Sequence, residues 1–123
     1  MTVTRKSKTM SFPSKRSKYG ARTIIADGHK FDSKREYERY QVLRAMERNG
    51  EIMDLRTQVT YTLIPSQYIG RKCVERPLKY IADFTYVHGG ETVCEDVKGY
   101  RTDVYRIKRK LMLYIHGIRV HEV

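Results

Sequence analysis

The stretches Ile81-Ala82-Asp83-Phe84 and Cys94-Glu95-Asp96-Val97-Lys98 decide the fold prediction for this chain. Side chains of a β-strand alternate between its two faces, so Asp96 and Lys98 are expected on one side of their strand. With Asp83 on the neighbouring strand, two carboxylates and one ammonium group then meet at one edge of a sheet. Carboxylate oxygens suit a hard divalent cation and a lysine can orient a nucleophile, so this pattern predicts a metal-dependent phosphodiesterase.

The rest of the chain predicts one α/β domain over residues 23–123. Ser33 followed by Glu36 matches a helix capping box, and Asn49-Gly50 is a helix stop. Beyond Gly50 the apolar period changes from helical to alternating, which favours strands. The predicted elements are a helix over residues 33–49, a strand over 57–64, a hairpin or flap around Gly70, strands over 78–87 and 91–97 joined at Gly89-Gly90, a helix over 104–115 and a strand over 118–123.

Charge is distributed unevenly along the chain, which has a formal net charge of +11. Residues 1–26 contain several lysines and arginines and no acidic residue. A segment so polar buries too little apolar surface to offset its ordering entropy, so residues 1–22 are expected to be a flexible basic arm. An excess of positive charge indicates an anionic partner such as nucleic acid.

Hydropathy and cysteine content indicate the compartment. No apolar run approaches the roughly 20 residues that span a bilayer, so no membrane partner is expected. Cys73 and Cys94 lack a paired spacing and are expected to be buried or half-buried free thiols. A cytoplasmic location follows, which is the bacterial host cytoplasm if the chain is phage-encoded.

Three segments resemble a known nuclease superfamily. Asp83 and Asp96-Val97-Lys98, following a helical glutamate, look like the PD-(D/E)xK superfamily. The sequence of these segments more narrowly resembles a small phage-encoded branch, described as a domain of unknown function and similar to Holliday-junction resolvases. The match covers roughly residues 18–123. It is carried by Phe31-Asp32-Ser33-Lys34-Arg35-Glu36, Tyr80-Ile81-Ala82-Asp83-Phe84 and Glu95-Asp96-Val97-Lys98-Gly99. Ala82 stands where the superfamily's name has proline, at a position that supplies no ligand.

The resemblance implies a restriction-endonuclease-like αβββαβ core with a mixed sheet flanked by helices. It implies Mg²⁺ as the cofactor, with Mn²⁺ able to substitute. Asp83, Asp96 and the carbonyl of Val97 would bind the metal, and Glu36 would hold a second ion or its water. Lys98 would orient the nucleophile and stabilise the charge that develops on phosphate. The implied catalytic residues are therefore Glu36, Asp83, Asp96 and Lys98.

Each of these residues also has a structural explanation. Asp83 could form a salt bridge at a strand edge, and Asp96 with Lys98 could belong to a solvated strand face. Glu36 could serve only the capping box, although it shares a helical stripe with Tyr40 and Leu43 that is expected to face the core.

Two accessory residues are predicted beside the main set. Gln58 is expected to begin the first core strand, where it could bind the attacking water or a phosphate, and a simple backbone contact is an equal alternative. Glu95 faces away from Asp96 in a regular strand and becomes a ligand only if a β-bulge turns it.

Basic residues of the arm and of the second helix are predicted to contact the DNA backbone. The helix is expected to place a basic side opposite an apolar stripe formed by Val104, Ile107, Leu111 and Ile115. The predicted DNA contacts are Arg5, Lys6, Lys8, Lys15, Arg16 and Lys18 in the arm, and Arg101, Arg106, Lys108, Arg109 and Lys110 in or next to the helix.

The predicted function is Mg²⁺-dependent endonucleolytic cleavage of DNA. Few candidate base-reading groups are present, which favours recognition of DNA shape over sequence. Within the phage branch this suggests branched recombination or replication intermediates, above all Holliday junctions, and symmetric cleavage of a junction requires a homodimer. The alternatives are a DNA-binding protein without turnover and an RNA-binding protein that stacks bases on its ten tyrosines.

Overall fold

The computed structural model describes residues 23–98 and 100–123. The predicted flexible arm, with Arg5, Lys6, Lys8, Lys15, Arg16 and Lys18, lies outside the described residues, as does Gly99. The chain divides into two compact units between Glu38 and Arg39. This boundary falls inside the first helix.

A short hairpin forms the described start of the first unit. Strands β1 (Ile24–Ala26) and β2 (His29–Phe31) pair antiparallel across a turn at Asp27 and Gly28, a residue pair typical of tight hairpin turns. Phe31 is fully buried, and its ring lies 5.5 Å from that of Tyr37. The hairpin is thus closed by an aromatic contact with the helix that follows it.

Helix α1 (Lys34–Arg48) begins and ends where the sequence predicts. The hydroxyl oxygen of Ser33 accepts a hydrogen bond of 3.1 Å from the backbone N–H of Glu36, which is one half of a capping box. Past the helix end, Gly50 adopts the left-handed conformation with a φ of 78°.

A four-stranded mixed sheet carries the second unit. The elements of this unit after α1 are β3 (Met53–Ile64), β4 (Gln67–Ile69), β5 (Lys72–Glu75), β6 (Leu78–His88), β7 (Glu91–Asp96), α2 (Asp103–Leu111) and β8 (Val120–Glu122). The strand order in the sheet is β3-β6-β7-β8, in which β3, β6 and β7 pair antiparallel and β7 and β8 pair parallel. The predicted α/β class is confirmed, because α1, β3, β6, β7, α2 and β8 follow the order αβββαβ.

Two hairpins connect the antiparallel strands. Strands β4 and β5 form the predicted hairpin after residue 64, and all of their residues are exposed. Strands β6 and β7 are joined through Gly89 and Gly90, whose φ values of 60° and 82° require the conformational freedom of glycine. This tight turn fixes the register of β6 against β7.

The hydrophobic core of the second unit lies between the sheet and α2. It contains Leu63, Tyr80, Ala82 and Cys94 from the sheet, with Tyr105 and Met112 from the helical segment and Val120 from β8. Elsewhere on β6, the ring of Phe84 stacks on that of Tyr40 from α1. The sheet therefore packs against residues from both helices.

Helix α2 differs from its prediction in the face that it buries. The hydroxyl oxygen of Thr102 caps the helix by accepting a hydrogen bond from the backbone N–H of Tyr105. The predicted inward stripe is wrong at three of its four positions, because Val104, Ile107 and Ile115 are 61%, 55% and 43% exposed, whereas Leu111 is half-buried against the core as predicted. Tyr105 points inward instead. A wider π-helical turn over Met112–His116 then shifts the register, so Ile115 leaves the core side before Gly117 ends the segment.

Three smaller predictions also need correction or comment. Strand β3 begins at Met53, so Gln58 lies within the strand and not at its start. Cys73 and Cys94 are both free, but Cys73 is exposed while Cys94 is buried. Within residues 23–98 and 100–123, no helix combines the length and apolar character that a bilayer crossing requires.

Candidate active site

Asp83 lies where β6 and β7 cease to pair. The last residue pair between these strands is Phe84 with Glu95, and Asp83 and Asp96 are the next residues beyond it. A carboxylate oxygen of Asp83 accepts a 2.8 Å hydrogen bond from the backbone N–H of Val97. The aspartate side chain therefore satisfies a backbone donor at the end of β7 and is held against the neighbouring strand.

Gln58 lies on β3, directly opposite Asp83 of the adjacent strand β6. The neighbours of Gln58 in β3, Thr57 and Val59, pair with Phe84 and Ala82, the two neighbours of Asp83. Gln58 is exposed and has a φ of 53°, a conformation that non-glycine residues rarely adopt. Strained backbone of this kind concentrates at functional sites, so its position next to Asp83 supports an accessory role.

Asp96 is almost completely enclosed by the protein. It is 3% exposed, and one of its oxygens accepts a 2.5 Å hydrogen bond from the hydroxyl of Tyr80. The other oxygen lies 3.4 Å from the Nζ atom of Lys98. Asp96 and Lys98 thus project to the same side, as strand alternation predicts.

Lys98 is held from two directions. Besides Asp96, its Nζ atom lies 4.3 Å from the ring centroid of Tyr105, in the range of a cation–π interaction. The hydroxyl of Tyr105 donates a 2.8 Å hydrogen bond to Glu122. The lysine side chain remains 26% exposed, so an anionic ligand can reach it from solvent.

The pKa values around Asp96 reflect burial combined with negative charge. Burial raises the pKa of the Cys94 thiol to about 12, and the charges of Asp96, Asp83 and Glu95 add to this shift. Burial, followed by the hydrogen bond to Asp96, also raises the pKa of Tyr80 far above its ordinary value. The Tyr80 hydroxyl therefore keeps its proton and acts as a donor to the carboxylate.

Glu95 has a different set of partners from Asp96. It is 2% exposed and accepts two hydrogen bonds from Arg39, of 2.8 Å and 2.6 Å, and one from the hydroxyl of Tyr86. A bidentate arginine pair of this kind is strong and directional. Binding of a metal by Glu95 would require it to give up its pairing with Arg39. No bulge in β7 turns Glu95 towards Asp96.

Glu36 is 6% exposed and belongs to the first unit of the chain. Its backbone N–H bonds to Ser33, in agreement with the capping alternative. Its assignment as a metal ligand stays a prediction from the sequence.

The predicted DNA-contacting residues around α2 divide into paired and unpaired groups. Arg101 and Arg109 donate to Glu122 at 2.6 Å and 2.8 Å, and Arg106 lies 3.7 Å from Asp103. Within the described part of the chain, Lys108 and Lys110 form no ion pair. These two lysines are the α2 residues most available to an external anion.

The oxygen atoms around Asp83 and Asp96 suit some divalent cations better than others. Among the described residues, no group of three or more His, Cys, Asp and Glu side chains is arranged to hold a metal ion. Mg²⁺ usually binds through one or two carboxylates and keeps several waters or substrate oxygens. Asp83, Asp96 and the carbonyl of Val97 offer hard oxygen atoms of that kind, so these residues fit Mg²⁺ better than a metal with an all-protein cage.

Comparison with known proteins places the chain in a family. Residues 16–121 match the family described as "Protein of unknown function (DUF1064)". The chain belongs to the DUF1064 family. No curated protein matches it, and no solved structure does. The description of DUF1064 states no activity, so the nuclease assignment and the resemblance to the PD-(D/E)xK superfamily stay predictions.

Sequence reasoning missed the residues that hold the candidate site together in this DUF1064 protein. Tyr80 and Tyr105 contact Asp96 and Lys98, while Glu122 anchors Tyr105 from β8. Tyr80 lies three residues before Asp83 in the stretch that carries the resemblance, which was an available signal. Tyr105 and Glu122 carry no comparable signal, because their roles depend on the packing of α2 against β8.

Proposed function

We propose that this protein is a metal-dependent endodeoxyribonuclease that hydrolyses phosphodiester bonds. The observation that carries the proposal is the 3.4 Å contact between Lys98 and Asp96 at the end of β7, beside Asp83 of the adjacent strand β6. Carboxylates next to a partly exposed lysine suit a reaction in which a cation and an ammonium group neutralise charge on phosphate.

Each residue of the candidate site would have a distinct role in the reaction. Asp83, Asp96 and the Val97 carbonyl would hold Mg²⁺, or Mn²⁺ in its place. The cation would supply Lewis-acid stabilisation of the charge on the phosphoryl oxygens. Lys98 would orient the nucleophile and donate a hydrogen bond to phosphate, while the ring of Tyr105 limits the positions that its ammonium group can take. Tyr80 would hold the carboxylate of Asp96 in one orientation.

The substrate that we propose is branched DNA. The high positive charge of the chain supports binding to phosphate backbones without base-specific contacts. Holliday junctions or related intermediates of phage recombination or replication, cleaved by a homodimer in the cytoplasm, form the specific version of the proposal.

A nucleic-acid-binding protein without turnover is the second candidate function. It is favoured by the fact that both oxygens of Asp96 already have partners, Tyr80 and Lys98. In that case the carboxylates would stabilise the sheet edge, and the basic residues would bind DNA or RNA.

Cleavage assays separate the two candidates. Single-stranded, duplex, flap and four-way DNA would each be incubated with the protein in Mg²⁺, Mn²⁺, Ca²⁺ or EDTA. We expect cleavage in Mg²⁺ and Mn²⁺, and binding without cleavage in Ca²⁺. The Asp83→Asn and Asp96→Asn variants should bind DNA but should not cleave it.

Asp54→Asn is the matched control, because Asp54 is an exposed aspartate on β3 that pairs with Arg56. This variant should cleave like the wild type. Cleavage in EDTA, or full activity of Asp83→Asn, would reject the metal-dependent mechanism, and an absence of cleavage on every substrate would favour the binding protein.

A further inference from the structure

A basic cleft lies between the α2 segment and β8. It has a volume of about 570 Å³. Its lining contains four cationic side chains and a single carboxylate, that of Glu122. The lining residues are Arg101, Arg109, Lys110, Leu113, Arg119, Val120, His121 and Glu122.

The charge of Glu122 is already neutralised by neighbouring side chains. It accepts hydrogen bonds from Arg101, Arg109 and the hydroxyl of Tyr105. Burial opposes its ionisation, but the bonds from Arg101, Arg109 and Tyr105 outweigh burial and lower the pKa of Glu122 to about 2. Glu122 is therefore ionised at neutral pH and fixes two arginines on one wall of the cleft.

The remaining positive charge belongs to Lys110 and Arg119. Both side chains are exposed, and within the described residues neither forms an ion pair. An open cleft with uncompensated lysine and arginine attracts anions, and the planar guanidinium of arginine suits phosphate in particular.

The cleft is adjacent to the candidate active site. Glu122 pairs with Asp96 across β8 and β7, so the two residues are separated by one strand spacing of about 4.8 Å. Tyr105 contacts both sides, since its ring lies beside Lys98 and its hydroxyl bonds to Glu122. A nucleic-acid backbone bound in the cleft could therefore extend to Lys98 and place one of its phosphates there. A single small anion in the cleft would be too short to reach Lys98.

We propose that this cleft binds the phosphate backbone of a nucleic acid, with Lys110 and Arg119 as its direct contacts. Glu122 acts there as a positioning residue that holds Arg101 and Arg109 towards the backbone. The proposal deepens the proposed function, on which it rests for the choice of DNA as the polymer. It adds Arg119 and His121 to the surface expected from the sequence, and it separates anchored arginines from available cations.

Salt-dependent DNA binding tests the cleft. Binding of the full-length protein to labelled duplex and four-way DNA would be measured in EDTA over a series of salt concentrations. In the double variant Lys110→Ala/Arg119→Ala we expect about tenfold weaker binding at low salt. The slope of log affinity against log salt should fall in magnitude by about 0.9 for each phosphate of duplex DNA that the variant no longer neutralises.

Two control variants test whether the loss of any exposed positive charge would have the same effect. Arg48→Ala removes an exposed arginine at the end of α1, outside the cleft, and should leave the slope almost unchanged. The charge-preserving variant Lys110→Arg/Arg119→Lys should keep the salt slope of the wild type. An unchanged slope in the alanine double variant, or an equal loss in Arg48→Ala, would overturn the proposal.

The assay also separates failure of the cleft from failure of the nuclease. Binding is measured without metal, so weaker DNA binding by the alanine double variant supports the cleft proposal even if Mg²⁺ never supports cleavage. Mg²⁺-dependent cleavage together with an unchanged salt slope in this variant would support the nuclease proposal and reject the cleft proposal. If the double variant instead lost binding only to vesicles of anionic phospholipid, the cleft would be a membrane contact and the proposal would be wrong.

Discussion

At the scale of single residues, Lys98 is the group on which the proposed chemistry depends most. Its Nζ atom lies between the carboxylate of Asp96 and the ring of Tyr105. We expect Lys98→Ala to lower the turnover number on the order of 10²-fold or more with little change in DNA affinity, because the lysine acts mainly on the transition state. Single-turnover cleavage at saturating DNA measures this effect.

Lys79→Ala serves as the control for that variant, since Lys79 is an exposed lysine on β6. It should retain normal turnover. A Lys98→Ala protein that loses only affinity would identify Lys98 as a phosphate contact without a catalytic role.

Tyr80 gives a prediction about stability at the same scale. Tyr80→Phe removes the hydroxyl that donates to Asp96 and leaves a buried carboxylate oxygen without that donor. The free energy of unfolding should fall by about 1–3 kcal/mol, as measured by urea denaturation. Tyr114→Phe is the matched control, because Tyr114 is 86% exposed and should lose almost nothing. Equal stabilities of the Tyr80→Phe and wild-type proteins would show that Asp96 does not need this partner.

The contacting pairs of the site could be predicted from sequence only in part. Strand alternation and the Gly89-Gly90 turn were enough to place Asp96 beside Lys98 and Asp83 on the neighbouring strand. The roles of the tyrosines that hold them were harder to predict, because ten tyrosines occur at spacings that suit an ordinary core and only Tyr80 lies in a stretch that carries the resemblance. Their distinction comes from buried hydroxyl partners, which depend on long-range packing.

At the scale of elements, α2 shows why its buried face was predicted wrongly. A helical stripe of Val104, Ile107, Leu111 and Ile115 has the regular spacing of an inward face. Tyr105 occupies the buried face of α2 instead, because it packs a larger ring against Tyr80 and its hydroxyl donates a hydrogen bond to Glu122. The π-helical turn after Leu111 breaks the 3.6-residue period on which the prediction relied.

The attachment of α2 to β8 should depend on pH through Glu122. The pKa of this carboxyl is lowered from an ordinary value of 4.5 to about 2. Its contribution to stability is therefore present above about pH 4.5 and is lost as the pH falls through about 2. We expect the wild type to exceed Glu122→Gln in free energy of unfolding by about 1–2 kcal/mol at neutral pH, after solvent screening is taken into account.

Denaturant titrations across this pH range check the prediction. The difference between the wild type and Glu122→Gln in free energy of unfolding should shrink below about pH 4.5 and be lost as the pH falls below about 2. Glu51→Gln, at an exposed glutamate after α1, should show no such difference. A difference that is constant with pH would mean that the ionised carboxylate is not the stabilising group.

At the scale of the whole molecule, the net charge of +11 should control DNA binding. Deleting residues 1–17 removes Arg5, Lys6, Lys8, Lys15 and Arg16 and no acidic residue. The magnitude of the salt slope for duplex binding should fall by up to about 0.9 for each phosphate that these residues neutralise in the intact protein. Cleavage at saturating DNA should survive, because every proposed catalytic residue lies beyond position 30. An unchanged salt slope would show that the deleted residues make no phosphate contact.

The order of the elements was largely predictable over residues 23–98 and 100–123. Helix stops, turn glycines and a change of apolar period mark α1, the β6–β7 hairpin and α2 without any knowledge of packing. The early start of β3 was not predictable, because Asp54 and Gln58 adopt left-handed backbone conformations that interrupt the alternation. The cleft beside β8 was likewise hidden, since it forms from residues about ten to twenty positions apart that meet only after folding.

The exposed hairpin of β4 and β5 has a practical consequence for experiments on this protein. It carries Cys73, which is exposed, whereas Cys94 is buried and has a thiol pKa of about 12. Because the thiolate is the reactive form, a maleimide dye at neutral pH should modify Cys73 alone, and Cys94 only after denaturation. Mass spectrometry should find one dye per native chain and two per unfolded chain. The natural sequence thus provides a single attachment point for a fluorophore, with which hairpin movement on binding DNA can be followed without replacing any residue.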